Sequence, residues 1–215
     1  MKDFVFISDF DGTITKKDFY WILLEEYIGQ KGIDYYYEWK KTQKIGTQFL
    51  NTVFTWHTFT EQERLDALNK VEIDKDLKPV IEEVHQQGGD FVILSAGFRY
   101  YIEYALSQQG IQEVDVYTND GSFKNNTFIM EPDKTSPFYS KLYGIDKEKV
   151  AIMHREKYKT IIFAGDSEPD YKAALHADVI FAKDELARLL DENGHAYKPY
   201  SCFQDILTYL QQRAK

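Results

Sequence analysis

Phe4-Val5-Phe6-Ile7-Ser8-Asp9-Phe10-Asp11-Gly12-Thr13 is an unbroken apolar run that turns abruptly into carboxylates, a glycine and a hydroxyl. The run is continuous rather than alternating, and it is rich in aromatic and β-branched side chains. That pattern predicts a strand covered on both faces, as in a parallel sheet. Three more runs share it: Phe91-Val92-Ile93-Leu94, Ile161-Ile162-Phe163-Ala164 and Val179-Ile180-Phe181-Ala182. Helical patterns fall between and after them, at 76–87, 98–109, 147–157, 168–177, 184–193 and 203–213. The first carries Leu77, Val80, Ile81 and Val84 at helical spacing and stops at Gly88-Gly89. Strand and helix in alternation imply right-handed crossovers, hence an α/β, Rossmann-like parallel sheet core.

Residues 16–79 break the rhythm. They hold all three tryptophans (Trp21, Trp39, Trp56), offer no strand pattern, and look helical at 18–30, 34–44 and 61–71. The expected organisation is a discontinuous core, 1–15 and 80–215, with a helical cap subdomain inserted at 16–79. Residues 114–131 predict a strand at Val114–Tyr117 and a hairpin whose arms flank Asn125-Asn126.

The 215 residues are 43% hydrophobic and 28% charged, a mix that folds around its own core. The formal charge is -9 with no dense basic patch, which excludes nucleic acid as an expected partner. No apolar run approaches the ~20 residues of a membrane span, and Cys202 has no cysteine to pair with. A reducing cytoplasm is the expected setting.

In an open α/β sheet, ligands bind beyond the carboxyl ends of the strands. Three of the runs end there in reactive groups: Asp9 and Asp11, then Ser95-Ala96-Gly97, then Gly165-Asp166-Ser167-Glu168-Pro169-Asp170. Gathered at one edge, the carboxylates repel one another unless a cation joins them. Hard oxygen donors favour Mg2+, with Asp9, Asp11, Asp166 and Asp170 as candidate ligands. A small phosphorylated metabolite is then the expected partner. Asp9 is placed to attack phosphorus and form an aspartyl-phosphate. Asp11 would protonate the leaving alcohol and later deprotonate water. Ser95 and the amides of Ala96 and Gly97 would hold phosphoryl oxygens at a helix start. A lysine should add positive charge. The helix at 147–157 runs back to the reactive edge, and of the two lysines on its first turn, Lys149 is preferred to Lys147. Asp18, near the start of the insert, reads equally as a helix cap and as a substrate contact.

These residues together resemble the haloacid dehalogenase superfamily. Its four signatures stand in order as Asp9-Phe10-Asp11-Gly12-Thr13, Ser95, a lysine, and Gly165-Asp166-Ser167-x-x-Asp170. The resemblance implies magnesium held by Asp9, the backbone carbonyl of Asp11, and Asp166. An insert between the first two signatures is similar to the helical-cap subclass that includes phosphoserine phosphatase. Within it, Asp11-Gly12-Thr13-Ile14-Thr15 with Asp18, and Phe181-Ala182-Lys183-Asp184, look most like the 2-hydroxy-3-keto-5-methylthiopentenyl-1-phosphate phosphatases. The cysteine-rich stretch that some of those enzymes carry before the lysine is absent here. Phosphoryl transfer to a second metabolite, and phosphometabolite binding without catalysis, are the alternatives. Dehalogenation has no need of an acid at Asp11.

Overall fold

The computed structural model describes residues 2–213. A seven-stranded sheet runs in the order β4-β3-β2-β1-β7-β8-β9. Its strands are β1 (Lys2–Ser8), β2 (Asp90–Phe98), β3 (Asp115–Lys124), β4 (Thr127–Glu131), β7 (Tyr158–Gly165), β8 (Val179–Ala182) and β9 (Lys198–Pro199). All neighbours are parallel except β3 and β4, which form an antiparallel hairpin at one edge. A separate two-stranded hairpin joins β5 (Tyr139–Ser140) to β6 (Gly144–Ile145).

The first strand is central, which explains its continuous apolar run. Phe4 and Phe6 belong to the core on one face of the sheet, and Val5 and Ile7 to the core on the other. Phe6 stacks on Phe91 of β2 at 5.3 Å between ring centres. Each fully buried side chain of this size contributes ~1.5–3 kcal/mol. Ser8 pairs with Ile93 on one side and with Ala164 on the other. The next residues of all three strands therefore emerge together at one edge.

Helices α5 (Leu77–Gln86), α6 (Arg99–Gln108), α7 (Lys147–Lys157), α8 (Tyr171–Ala174), α9 (Asp184–Glu192) and α10 (Phe203–Arg213) cover the sheet, and α5 packs against α10. Between β1 and β2 lie α1 (Phe19–Leu23), a π-helical turn at Leu24–Ile28, α2 (Gln30–Lys40), α3 (Thr47–Phe54) and α4 (Glu61–Asn69). Thr15 bridges Ile73, so the chain enters and leaves this helical segment side by side. The boundary expected at 79/80 falls inside α5, which packs with the sheet.

Other details differ from expectation in the same local way. Helix α3 has no counterpart among the expected helices. The helix expected at 168–177 is a 3-10 turn (Glu168–Asp170) followed by α8, because Pro169 and the folded-back Asp170 tighten its start. The strand expected at 114–117 continues unbroken into the hairpin as β3. Asn125 and Asn126 turn that hairpin with φ of 51° and 60°, the left-handed pair that suits a two-residue turn. His154 of α7 is buried between Tyr117 and Tyr158, and neither ring nitrogen has a hydrogen-bond partner among the described residues. Burial, then the charge of Lys157, lower its pKa to about 4.

Candidate active site

Asp9 follows β1 directly, and its amide donates to the Ala164 carbonyl at 2.9 Å. Gly12 then turns the chain with φ of 73°. A side chain there would stand 2.5 Å from Asp166 Oδ2, so only glycine allows the two loops to approach this closely. The hydroxyl of Thr13 donates to Asp166 Oδ1 at 2.6 Å and fixes that carboxylate. Oxygens of Asp9, Asp166 and Asp170 all lie within 4.8 Å of one another.

Among the described residues one lysine enters this cluster, and it is Lys147 rather than Lys149. Its ammonium donates to Asp9 Oδ1 at 2.6 Å and to Asp170 Oδ1 at 2.7 Å. The Lys147 side chain is 2% exposed. That of Lys149 is 53% exposed and pairs with Asp146, the residue whose side chain caps α7. Burial pulls the Lys147 pKa down, but the charges of Asp170 and Asp9 outweigh it and hold the ammonium above its ordinary range. The other oxygen of Asp170 accepts the amides of Asp166 and Ser167 and the Ser167 hydroxyl, at 3.1–3.3 Å. Both oxygens of Asp170 are thus engaged by protein donors.

The expected phosphate loop sits in the strand rather than at a helix start. Residues 95–97 belong to the end of β2, where its register with β3 slips between Leu94 and Phe98, and α6 begins only at Arg99. Ser95 accepts the Gly97 amide at 2.9 Å and donates to Asp11 Oδ2 at 3.3 Å. The loop is pinned from behind by Asn119, which the sequence reading overlooked. Its buried amide donates to the carbonyls of Ala96, Gly97 and Tyr143 at 2.9–3.1 Å.

Asp11 points away from the three-carboxylate cluster. Its Oδ1 accepts the Phe19 amide at 3.0 Å, and its Oδ2 accepts the Tyr101 hydroxyl as well as Ser95. Asp18 precedes α1 but its side chain makes no capping hydrogen bond. It lies beside Tyr20 and near Asp11 on the wall of a cavity of about 310 Å³ that also reaches Asp9, Ser95 and Lys147. Burial, then the charge of Asp11, raises the Asp18 pKa to about 7. The rest of the wall mixes Leu50, Phe54, Phe98 and Met130 with Tyr36 and Lys40. Across the mouth, Lys44 and the Tyr143 hydroxyl both bond Glu168, joining the helical segment to the loop after β7.

The site carries more negative than positive side-chain charge. Lys147 supplies one positive charge against the carboxylates of Asp9, Asp11, Asp166 and Asp170. Burial, then the charge of Asp170, raises the pKa of Asp9 well above its ordinary value and that of Asp166 to about 8. Crowded hard oxygens with a surplus of negative charge suit a small divalent cation. Asp9 and Asp166 fit it best, since Asp170 already holds Lys147 and the loop amides.

A family model for haloacid dehalogenase-like hydrolases matches residues 6–175. Curated relatives named 2-hydroxy-3-keto-5-methylthiopentenyl-1-phosphate phosphatase include one from Exiguobacterium sibiricum, 26% identical over 95% of each chain. Another, from Bacillus pumilus, is 27% identical over 99% of this chain and 93% of its own. A substrate-bound phosphoserine phosphatase superposes with a TM-score of 0.71 at 15% identity, covering 97% of this chain and 99% of that one. The phospho-aspartyl intermediate analogue of phosphoserine phosphatase gives 0.69 at the same identity and coverage. At such identity the solved structures speak to the fold.

Proposed function

The chain belongs to the haloacid dehalogenase-like hydrolase family as a phosphatase, and from this premise we propose that it hydrolyses a small phosphomonoester with magnesium, through an aspartyl-phosphate on Asp9. The observation that carries the reading is the buried Asp9 carboxylate at the end of the central strand. It is gripped by Lys147 on one side and faces the cavity beside Asp11 and Ser95.

An Asp9 oxygen attacks phosphorus, the bond to the alcohol oxygen breaks, and Asp11 gives that oxygen its proton. Asp11 then takes a proton from water as the water oxygen bonds phosphorus and the Asp9–phosphorus bond breaks. Asp11 ends as it began, and inorganic phosphate leaves. Ser95 and the amides of Ala96 and Gly97 hold phosphoryl oxygens, and Lys147 offsets their charge. Asp170 keeps Lys147 in place. Asp9 and Asp166, with the Asp11 carbonyl, would hold magnesium, which would supply the remaining positive charge. No role is assigned to Lys149.

We further propose that residues 16–79 act as a cap over the reactive edge of the core formed by 1–15 and 80–215, and that the cap selects the substrate. The apolar patch of Leu50, Phe54, Phe98 and Met130, beside the polar Asp18, Tyr36 and Lys40, suits a short oxygenated chain with an apolar tail. The phosphate ester that names the curated relatives is such a molecule. The test is a panel of phosphorylated metabolites that includes this ester and phosphoserine, with magnesium and with chelator. Magnesium-dependent phosphate release, highest for the thioether ester, is expected. Full turnover in chelator would refute the metal, and a preference for phosphoserine would refute the substrate.

A further inference from the structure

We propose that Tyr101 is a positioning residue for Asp11: its hydroxyl holds the Asp11 carboxyl in one orientation while that group gives up a proton and takes one back. The proposal rests on the phosphatase reading above, because it assigns Asp11 the proton transfers of that reaction.

Three donors surround Asp11, and they differ in kind. The Phe19 amide at Oδ1 can only donate. The hydroxyls of Tyr101 and Ser95 at Oδ2 can each donate or accept. Ser95 is also committed to the Gly97 amide and stands 3.3 Å from Asp11. Tyr101 makes the closer contact. A phenol can donate to Oδ2 in both forms of Asp11, carboxylate and carboxylic acid, without changing its own proton count, and so leaves the acid's proton for the alcohol oxygen. It therefore suits a partner that alternates between the two forms. In the first step the acid form of Asp11 protonates the alcohol oxygen as its bond to phosphorus breaks. In the second the carboxylate takes a proton from the attacking water. Tyr101 finishes each step with the proton it started with.

The hydroxyl is held there by its ring. Tyr101 is buried, stacks on Phe19 at 4.3 Å and 12°, and meets Phe98 edge-on at 4.8 Å. Any Cβ at residue 97 would overlap the Tyr101 hydroxyl, so Gly97 makes the room it occupies. Packing alone would be served as well by phenylalanine. A buried hydroxyl costs free energy unless it is used, and this one donates to Asp11.

The test compares Tyr101→Phe with the wild type on two esters in magnesium, an alkyl phosphate and p-nitrophenyl phosphate. The ratio kcat/KM is read because it counts steps only through release of the alcohol. A nitrophenolate leaves without help from an acid, whereas an alkoxide does not. The alkyl ester should lose on the order of tenfold, part of the ~10²–10⁴-fold that a complete acid–base group contributes. The aryl ester should lose less than about twofold, on the same proton-transfer argument. The thermal midpoint and inhibition by fluoroaluminate should be unchanged. Tyr101→Met, which keeps apolar volume without the hydroxyl, should show the same ester-selective loss. Equal losses on both esters, or no loss on either, would overturn the proposal. A wild-type protein inert on every phosphate ester would instead overturn the phosphatase reading, and this inference with it.

Discussion

Lys147 and Lys149 share the first turn of α7, yet one ammonium is buried between Asp9 and Asp170 and the other lies in solvent. At 3.6 residues per turn, side chains two residues apart point about 200° from each other. Rotational phase therefore decides between them, and distance along the helix does not. The phase was legible in principle: Lys147, Val150, Ala151 and His154 form one stripe at helical spacing, and all four are buried. Lys147→Met should lower kcat by on the order of 10²–10³, as for other lost donors to transition-state charge. Lys149→Met should leave kcat unchanged and shift stability by less than about 1 kcal/mol, as for an exposed pair. Steady-state rates and urea midpoints on the two proteins check this. Asp9, Asp11, Asp166 and Ser95 could be placed from sequence because they stand at the ends of recognisable runs. Tyr101 and Asn119 could not, since each acts across a long sequence separation on a partner that only the tertiary fold supplies.

Helix starts show how an element borrows its termination. Thr60 caps α4 with a full capping box, its hydroxyl accepting the Glu63 amide while Glu63 reaches back to the Thr60 amide. At α1 the equivalent residue, Asp18, contributes no capping side-chain bond, and Asp11 accepts the first amide instead. Sequence pattern cannot separate these cases, because Asp and Thr are both good caps. Thr60→Ala should cost about 1 kcal/mol of stability and leave catalysis alone. Asp18→Ala should cost no stability at pH 8, since a carboxyl with a raised pKa is held there against its preference for water. It should lower kcat/KM for the true substrate while sparing p-nitrophenyl phosphate. Denaturation midpoints and the two rate ratios decide the point. Loss of stability in Asp18→Ala, with both substrates affected alike, would return Asp18 to the role of a cap.

Over the whole molecule, the parallel order of the sheet was legible because buried strands must be apolar on both faces. The missing α3 and the bulged end of β2 were not, since both depend on what packs beside them. Stability has its own marker in His154, whose pKa is lowered to about 4. The unfolded chain binds that proton near pH 6.5 and the folded one only near 4, so stability is lost as pH falls through this window. His154→Phe removes the loss and the unpartnered ring nitrogens. Its thermal midpoint should exceed that of the wild type by more at pH 5 than at pH 7.5. A constant difference across that range would show that His154 does not titrate there.

The central strand carries a last consequence, for how the molecule comes into being during synthesis. Ribosomes deliver β1 first, but its neighbours in the sheet, β2 and β7, arrive long afterwards. Until the segment through Asp170 has emerged, the ammonium that Asp9 shares with Asp170 lacks its second carboxylate. On the proposed mechanism, a chain held on the ribosome before Asp170 has emerged should release no phosphate.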